Sequence, residues 1–215
     1  NIRKFCLAGG VALNCDMNAQ IRDLDFVDEI YIQPASHDAG TALGAALEVA
    51  ARHGEPSGFR MDHAYLGPEY SPRDIQSVLD EVKIPYTQPA DIARTTAELL
   101  RDGALVGWFQ GRMEFGPRAL GSRSIIADPR SDKMQKELNL KIKFRESFRP
   151  FAPSVLLEDL NDWFDLDTES PYMLMVGKVK KDKLIESVDN FKSLKGLEKL
   201  NLVRSKIPAV TQVDN

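Results

Sequence analysis

The first fifty residues alternate between short apolar stretches and amphipathic ones, in the order strand, helix, strand, helix. Runs of β-forming residues predict strands over Arg3–Leu7 and Glu29–Gln33. Helical spacing predicts helices over Cys15–Arg22 and Thr41–His53, with Asn14 as the N-cap of the first. Strands that alternate with helices are typical of an α/β fold. The first part of the chain is therefore predicted to be an α/β unit.

A turn-rich stretch, Gly54–Gly58, is interpreted as a linker, and the pattern after it changes to an α+β alternation. The helices predicted there are Ser71–Glu81 (with Ser71 as N-cap and Pro72 at the first helical position), Ile92–Asp102, Lys133–Lys143 and Asp159–Phe164. The predicted strands or extended segments are Pro85–Thr87, Ala104–Phe109, Ser124–Ala127, Phe148–Leu157, Met173–Val179 and Ile207–Val213. The segment Lys180–Arg204 is charged and helix-prone, and its chemistry is not recognisable from its residues.

The stretch Gly111–Arg130 concentrates arginines among glycines and a proline, directly after the apolar run Ala104–Phe109, which predicts a buried strand. Arg112, Arg118 and Arg123 offer bidentate donors for phosphate or carboxylate oxygens. In α/β sheets, ligands bind where strands end. We call the part that carries these three arginines the arginine loop and predict that it binds an oxyanion. The alternative is a solvated basic turn.

Two turns in the first unit are further candidates. Gly9 and Gly10 lie between a strand and a helix, where backbone N–H groups can cradle a nucleotide, although a lone Gly-Gly turn is often only structural. The turn matches neither the Rossmann nor the P-loop pattern. His37 and Asp38 follow the second strand and are either a metal or acid–base pair, or a turn in which Asp38 caps the next helix.

The segment Asn139–Phe151 adds four cations: Lys141, Lys143, Arg145 and Arg149. Lys141 and Arg145 would share one helix face at the i, i+4 spacing, and phenylalanines are interleaved with the charges. A basic segment with aromatic residues can bind phosphates, or nucleic acid. The alternative is a salt-bridged surface helix.

Composition narrows the range of functions. The 215 residues carry a net charge of −4, which argues against nucleic acid as the main partner, although basic residues outnumber acidic ones between Arg101 and Arg149. Cys6 and Cys15 lack metal-binding or redox spacing and are predicted to be buried thiols. The sequence shows neither an apolar run of membrane-spanning length nor a signal-peptide pattern, and we expect a cytoplasmic location without membrane contact. The chain has no initiator Met and closes on a strand-like segment, so we expect a fragment of a longer protein.

Four motifs in order, AGGVALN, PASHDAGTALGAA, GRMEFGPRALGSRSIIADPR and LNLKIKFRESFRPFAPSVL, resemble the NodU/CmcH-type O-carbamoyltransferases, which include nodulation proteins and antibiotic-tailoring enzymes. The resemblance implies residues 1–57 from the end of an actin/Hsp70-like (ASKHA) domain related to TsaD, and residues 63–215 from a YrdC-like domain. The YrdC-like domain of this family uses ATP and carbamoyl phosphate to form carbamoyl-adenylate. The ASKHA domain, with bound iron, passes the carbamoyl group to an acceptor hydroxyl.

The resemblance also implies roles for individual residues. Gly9, Gly10, Val11 and Asn14 would contact the adenylate, and Asp38 would be the carboxylate ligand of the metal, whose histidine ligands would precede Asn1. The seven cations would bind carbamoyl phosphate and ATP with its Mg²⁺: Arg112, Arg118, Arg123, Lys141, Lys143, Arg145 and Arg149. Two alternatives remain, a YrdC-like RNA-binding module and a catalytically inert fragment. The acceptor and the oligomeric state are not readable from the sequence.

Overall fold

A computed structural model describes residues 2–55, 61–185, 199 and 202–211. The chain divides into two compact units of mixed α/β structure. The first unit comprises Asn1–Thr87, Trp108–Ser124 and Ser170–Val176, and the second comprises Gln88–Gly107, Ile125–Glu169 and Gly177–Asn215. Most of the predicted linker and most of Lys180–Arg204 lie outside the described residues.

The first unit begins with a β–α–β arrangement, as predicted. Strands β1 (Lys4–Leu7) and β2 (Glu29–Ile32) pair in parallel, with Lys4 opposite Glu29 and Leu7 opposite Ile32. Between them lie a 3-10 turn, Gly10–Leu13, and helix α1, Cys15–Arg22. A small core of Ala12, Ile32 and Leu174 closes this arrangement. The parallel pairing brings the carboxyl ends of both strands, where the two candidate turns begin, to one edge.

Two further helices belong to the first unit. Helix α2 spans Ala39–Arg52, and α3 spans Pro72–Glu81. The Ser71 hydroxyl accepts a hydrogen bond from the Asp74 backbone N–H, while the Asp74 carboxylate accepts one from the Ser71 N–H. This reciprocal capping box confirms the predicted N-cap. The Asp38 side chain makes no capping bond to α2, because Asp38 itself has a helical backbone, so the capping alternative for it is wrong.

The remaining elements are short. Strands β3 (Val106–Phe109) and β4 (Arg123–Ile126) form a two-stranded sheet, and the division between the units falls within both strands. The second unit contains three α-helices: α4 (Ile92–Arg101), α5 (Met134–Glu137) and α6 (Leu160–Trp163). Helix α5 continues into a π-helix at Leu138–Ile142, and a 3-10 turn at Leu157–Asp159 precedes α6. The unit also has the antiparallel pair β5 (Phe164–Asp165) and β6 (Lys178–Val179), and 3-10 turns at Lys181–Lys183 and Pro208–Val210.

Small clusters of apolar side chains stabilise the second unit. Met134, Leu138 and Ala209 form one buried cluster, and Phe164, Leu166 and Ile207 form another. Among the described residues, every helix is too short or too polar to cross a bilayer.

Several predictions of extended structure are wrong. Pro85–Thr87 is exposed and pairs with no strand among the described residues. Met173 has a φ of 56°, which a strand does not accommodate, so the predicted strand over Met173–Val179 is reduced to Lys178–Val179. Pro208 opens a 3-10 turn where a strand was predicted over Ile207–Val213. The strand over Ala104–Phe109 is confirmed in type, but its side chains are only half-buried or exposed.

Candidate functional site

The first unit places the two turns and the arginine loop against one another. The Gly9 N–H donates to the Ser36 carbonyl at 2.7 Å, which joins the glycine turn (residues 8–14) to the turn after β2. Gly9 has a φ of 94°, a conformation that favours glycine. The arginine loop packs here through Gly116, where an added Cβ would lie 3.5 Å from the Pro34 carbonyl oxygen. Three segments far apart in sequence therefore meet in one unit.

An open pocket of about 290 Å³ lies between the two turns. Its lining comprises residues from both of them: Ala8, Gly9, Gln33, Ala35, Ser36, His37, Asp38, Gly40 and Thr41. A Cβ on Gly40 would come within 2.1 Å of the Ala35 carbonyl oxygen, so the tight packing of this turn requires glycine. The pocket has the size of a small-ligand site.

Two polar atoms in the lining of the pocket are buried without a hydrogen-bond partner in the described chain. They are the Ser36 hydroxyl and the Nδ1 atom of His37. The Asp38 side chain is exposed, and nothing in the described residues donates to its carboxylate. Buried polar atoms are normally satisfied, so this lining favours a polar ligand.

Asp38 is the candidate metal ligand among the described residues. The Asp38 carboxylate is a suitable oxygen ligand for iron or another divalent ion. No three histidine, cysteine or acidic side chains converge on one point within the described ranges. Asp38 is therefore a fitting single ligand rather than a complete set.

Arg118 is the arginine that contacts the glycine turn. Its Nη2 donates to the Leu13 carbonyl at 3.1 Å, and its Nε is buried without a partner in the described chain. Its charge also reaches Cys15. Burial and the nearby charge of Asp16 raise the pKa of the Cys15 thiol, while the guanidinium of Arg118 offsets part of that rise. Arg118 thus has both a structural contact and an unused donor.

The other candidate residues of the glycine turn differ in whether their side chains already make hydrogen bonds within the protein. The Asn14 side-chain oxygen accepts hydrogen bonds from the backbone N–H groups of Asp16 and Met17, which confirms it as the N-cap of α1. Gly10 and Val11 are exposed. A role for Asn14 in binding a ligand therefore has to use its amide nitrogen.

Arg123 and Arg112 lie elsewhere in the loop. Arg123 donates from Nη1 to the carbonyls of Gln110 and Ser122 at 2.9 Å and from Nη2 to that of Gly111 at 3.1 Å. Its guanidinium carbon stands 3.5 Å from the centre of the Phe109 ring. Arg112 is exposed and makes one long contact, 3.4 Å, with the Leu66 carbonyl. Arg123 is built into the loop, whereas Arg112 is largely free.

Glu114 organises the loop and was not anticipated from the sequence. One of its carboxylate oxygens accepts hydrogen bonds from the N–H groups of Leu120 and Ser122 at 2.7 Å and of Arg123 at 3.3 Å. Burial acts to raise the pKa of Glu114, but these hydrogen bonds outweigh it and hold the pKa below its ordinary value. The sequence did contain a signal for this role, because Glu114 is the only acidic residue between Gly111 and Arg123. A lone carboxylate among glycines often accepts hydrogen bonds from backbone N–H groups.

The second unit carries the other four cations on a segment held by Asn139. This side chain is fully buried and donates from Nδ2 to the carbonyls of Ser147 at 3.1 Å and Arg149 at 2.8 Å. Its Oδ1 accepts from the Arg145 Nε at 2.7 Å. From the sequence, Asn139 was identified only as the first residue of the segment. A buried amide in the π-helix fixes the path of the cationic residues that follow.

The four cations differ in how far they are already paired. Lys141 forms an ion pair with Glu137 at 3.3 Å, and Arg149 forms one with Glu146 at 2.8 Å. Arg145 uses its Nε on Asn139 and lies 5.1 Å from the Phe151 ring centre. Lys143 is exposed, and its Nζ has no partner among the described residues. The alternative, a salt-bridged surface helix, is thus confirmed for Lys141, and Arg149 is ion-paired after the helix has ended. Lys143 remains available to a ligand.

One cysteine prediction is wrong. Cys6 is exposed because it lies on the open face of β1, and Cys15 is half-buried.

Comparison with known proteins places the chain in a family. Residues 97–215, more than half of the chain, match the family described as carbamoyltransferase C-terminus, and residues 1–47 match carbamoyltransferase N-terminus. Over all of its own residues, the chain is 47% identical to an uncharacterized protein of Synechocystis, and the match covers 36% of the length of that relative.

Two named relatives agree with the family match. Nodulation protein NolO of Bradyrhizobium diazoefficiens is 42% identical over 84% of the chain and 34% of its own length. The 3'-hydroxymethylcephem-O-carbamoyltransferase of Streptomyces clavuligerus is 34% identical over 85% of the chain and 34% of its own length. The chain spans about a third of the length of these relatives. It belongs to the NodU/CmcH-type carbamoyltransferase family.

Proposed function

We propose that the chain forms part of an O-carbamoyltransferase that activates carbamoyl phosphate with ATP and passes the carbamoyl group to a hydroxyl. ATP, carbamoyl phosphate and water give carbamoyl-adenylate, pyrophosphate and phosphate. The acceptor oxygen then replaces AMP on the carbamoyl carbon. Residues 1–57 and 63–215 are proposed to have the ASKHA-like and YrdC-like folds.

The observation that carries this proposal is the position of the seven candidate cations. All of them lie within the residues that match the carbamoyltransferase C-terminus. Guanidinium and ammonium groups neutralise phosphate oxygens and orient the carbamoyl carbon for transfer. In the first unit, the Nε of Arg118 is buried beside the glycine turn and has no partner within the described ranges. In the second, Lys143 is exposed without an acidic partner in the described chain.

Arg118 and Lys143 are therefore assigned as direct phosphate ligands, with Arg112 as a third. Arg123 already donates from both terminal nitrogens and is assigned to the support of its segment. Arg145 uses only its Nε on Asn139, and its terminal nitrogens have no partner among the described residues, so it is assigned to both roles. Lys141 and Arg149 are ion-paired and would have to exchange a carboxylate for a phosphate. Mg²⁺ is expected to accompany ATP.

The pocket between the two turns is proposed to receive the adenylate. Gly9 lines this pocket, and Gly10, Val11 and Asn14 follow it in the same glycine turn and are proposed to contact the adenylate with it. Asp38 would supply one carboxylate ligand to an iron ion, and such an ion would polarise the transferred group. The acceptor class is a small molecule with a hydroxyl, as the name of the cephem relative indicates for that enzyme.

The proposal is tested by release of pyrophosphate from the whole protein in which the chain occurs. Release is expected only when ATP and carbamoyl phosphate are both present. Removing a cation that stabilises developing charge costs on the order of 100-fold in rate, so R118A and K143A are each expected to lose most of the release. K136A removes an exposed lysine of the same unit as Lys143 that has no ion-pair partner among the described residues, and it is expected to behave like the wild type. Undiminished release in both R118A and K143A would contradict the site assignment.

A further inference from the structure

Phe144 is a bulky residue at the end of the π-helix, in a left-handed position that is usually occupied by glycine. It lies between Lys143 and Arg145 in the second unit, and its φ is 48°. Left-handed backbone is unfavourable for a bulky residue other than glycine and is found mainly where a structure or a function requires it. The side chain is 85% exposed, so burial of the ring does not offset this cost. An exposed aromatic ring between two cations, at a position that glycine would occupy without cost, points to contact with a ligand.

The turn that carries Phe144 is held on both sides. The Lys143 N–H donates to the Leu138 carbonyl at 2.9 Å, which closes the π-helix, and the Arg145 N–H donates to the Asn139 carbonyl at 3.0 Å. The Arg145 Nε is fixed on the Asn139 side chain. π-helical turns are frequent at functional sites. The ring is therefore presented by a preorganised turn rather than by a loose loop.

The charges beside the ring indicate which kind of ligand covers it. The Lys143 Nζ and the two terminal nitrogens of Arg145 have no hydrogen-bond partner in the part of the chain that the structure describes. An aromatic ring flanked by cations with unused donors complements a molecule with a flat base and a chain of phosphates. Stacking of bases on aromatic side chains is a general mode of recognition. Of the two substrates of the proposed activation step, ATP and carbamoyl phosphate, only ATP has a ring system.

We propose that Phe144 stacks on the purine base of the nucleotide while Lys143 and Arg145 contact its phosphates. This inference rests on the proposed function, because it takes ATP as a substrate. It adds a base-binding residue to a set that so far contained only phosphate ligands. Ring stacking contributes to the affinity for the nucleotide and leaves the affinity for a free polyphosphate unchanged.

The test compares ATP with inorganic tripolyphosphate, which carries the phosphates without a base. F144G removes the ring and keeps a residue that favours positive φ, so the turn is retained. F144Y keeps the ring. The matched control is I142A, which removes an exposed apolar side chain two residues before Phe144. Ile142 is 43% exposed and has the helical backbone of the π-helix.

Calorimetry on the full 215-residue chain provides the readout. F144G is expected to weaken ATP binding about tenfold and to leave tripolyphosphate binding unchanged, while F144Y and I142A bind both like the wild type. Equal ATP affinity in F144G and the wild type would overturn the inference and leave the proposed function intact. Equal weakening of both ligands would overturn it too, because the ring would then support the turn. Wild-type protein that binds neither ligand would contradict the proposed function together with the inference.

Discussion

Replacing Glu114 with alanine is expected to lower the free energy of unfolding by about 3 kcal/mol. The arginine loop should then lose its ordered backbone and no longer bind the predicted oxyanion. The substitution leaves the N–H groups of Leu120, Ser122 and Arg123 without their acceptor. Ser122 is buried, so water cannot readily replace the lost bond there. Urea denaturation followed by circular dichroism measures the loss, with E69A as the control because Glu69 is exposed and has no partner in the described chain.

The charge of Glu114 contributes separately from its shape. E114Q keeps an oxygen that accepts hydrogen bonds but removes the charge, which makes such bonds weaker, so a loss of about 1 kcal/mol is expected at pH 7. Because the pKa of Glu114 lies below its ordinary value in the folded protein, the carboxylate stabilises the fold fully above that ordinary value. This contribution disappears as the pH falls through the lower folded pKa.

The difference in stability between the wild type and E114Q should therefore be largest near neutral pH and shrink in acid below about pH 4. A difference that stays constant from pH 7 to pH 3 would show that the charge of Glu114 is not what holds the loop.

Replacing Asn139 with aspartate is expected to have an effect of similar size in the second unit. The two side chains have the same shape, but aspartate presents an oxygen where Asn139 donates to the carbonyls of Ser147 and Arg149. Two favourable hydrogen bonds become contacts between acceptors in a fully buried position, so a loss of about 3 kcal/mol is expected. Lys143 and Arg149 should then no longer be held in a defined segment.

The control for this substitution is N161D, since Asn161 is exposed on α6 and has no partner among the described residues. It is expected to change stability by less than about 0.5 kcal/mol. Hydrogen exchange of residues 143–149 gives the local readout, and protection should fall in N139D alone. Unchanged protection in N139D would mean that Asn139 does not organise the cationic segment.

Local rules predicted those elements whose ends are fixed by neighbouring residues. Asn14 caps α1, and Ser71 with Pro72 opens α3, because a side chain a few residues away satisfies the first N–H groups of each helix. The strands β1 and β2 were predicted because their pattern is regular and they are separated by one helix. In each of these cases the information lies within a few positions of the element itself.

Predictions failed where contacts or backbone at a distance decide the structure. Nothing local to Pro85–Thr87 provides a pairing partner, and the apolar pattern from Met173 onward does not reveal the positive φ of that residue. The π-helix at Leu138–Ile142 is equally invisible in an apolar pattern that fits an α-helix. Buried cysteines were predicted from average behaviour, while Cys6 lies on the open face of a strand.

For the candidate site, the sequence likewise predicted which residue types take part but not which contacts they make. The arginines and lysines were identified by residue type, because their chemistry is independent of the fold. Their division into free and engaged groups, Lys143 against Arg123 for example, depends on which carbonyls lie nearby. Glu114 and Asn139 bind no predicted ligand and act through the backbone, so they become evident only from the hydrogen bonds they make.

Binding of ATP to the 215-residue chain, measured by calorimetry with and without carbamoyl phosphate, tests the proposed activation step most directly. The arginine loop and the Lys141–Arg149 segment both lie within this chain. We predict saturable binding of ATP by the wild type and by K136A, and binding weakened at least tenfold in K143A, which removes an exposed lysine without disturbing a contact of the described fold. Equal affinity in K143A and K136A, or no binding of ATP by the folded wild type, would contradict it.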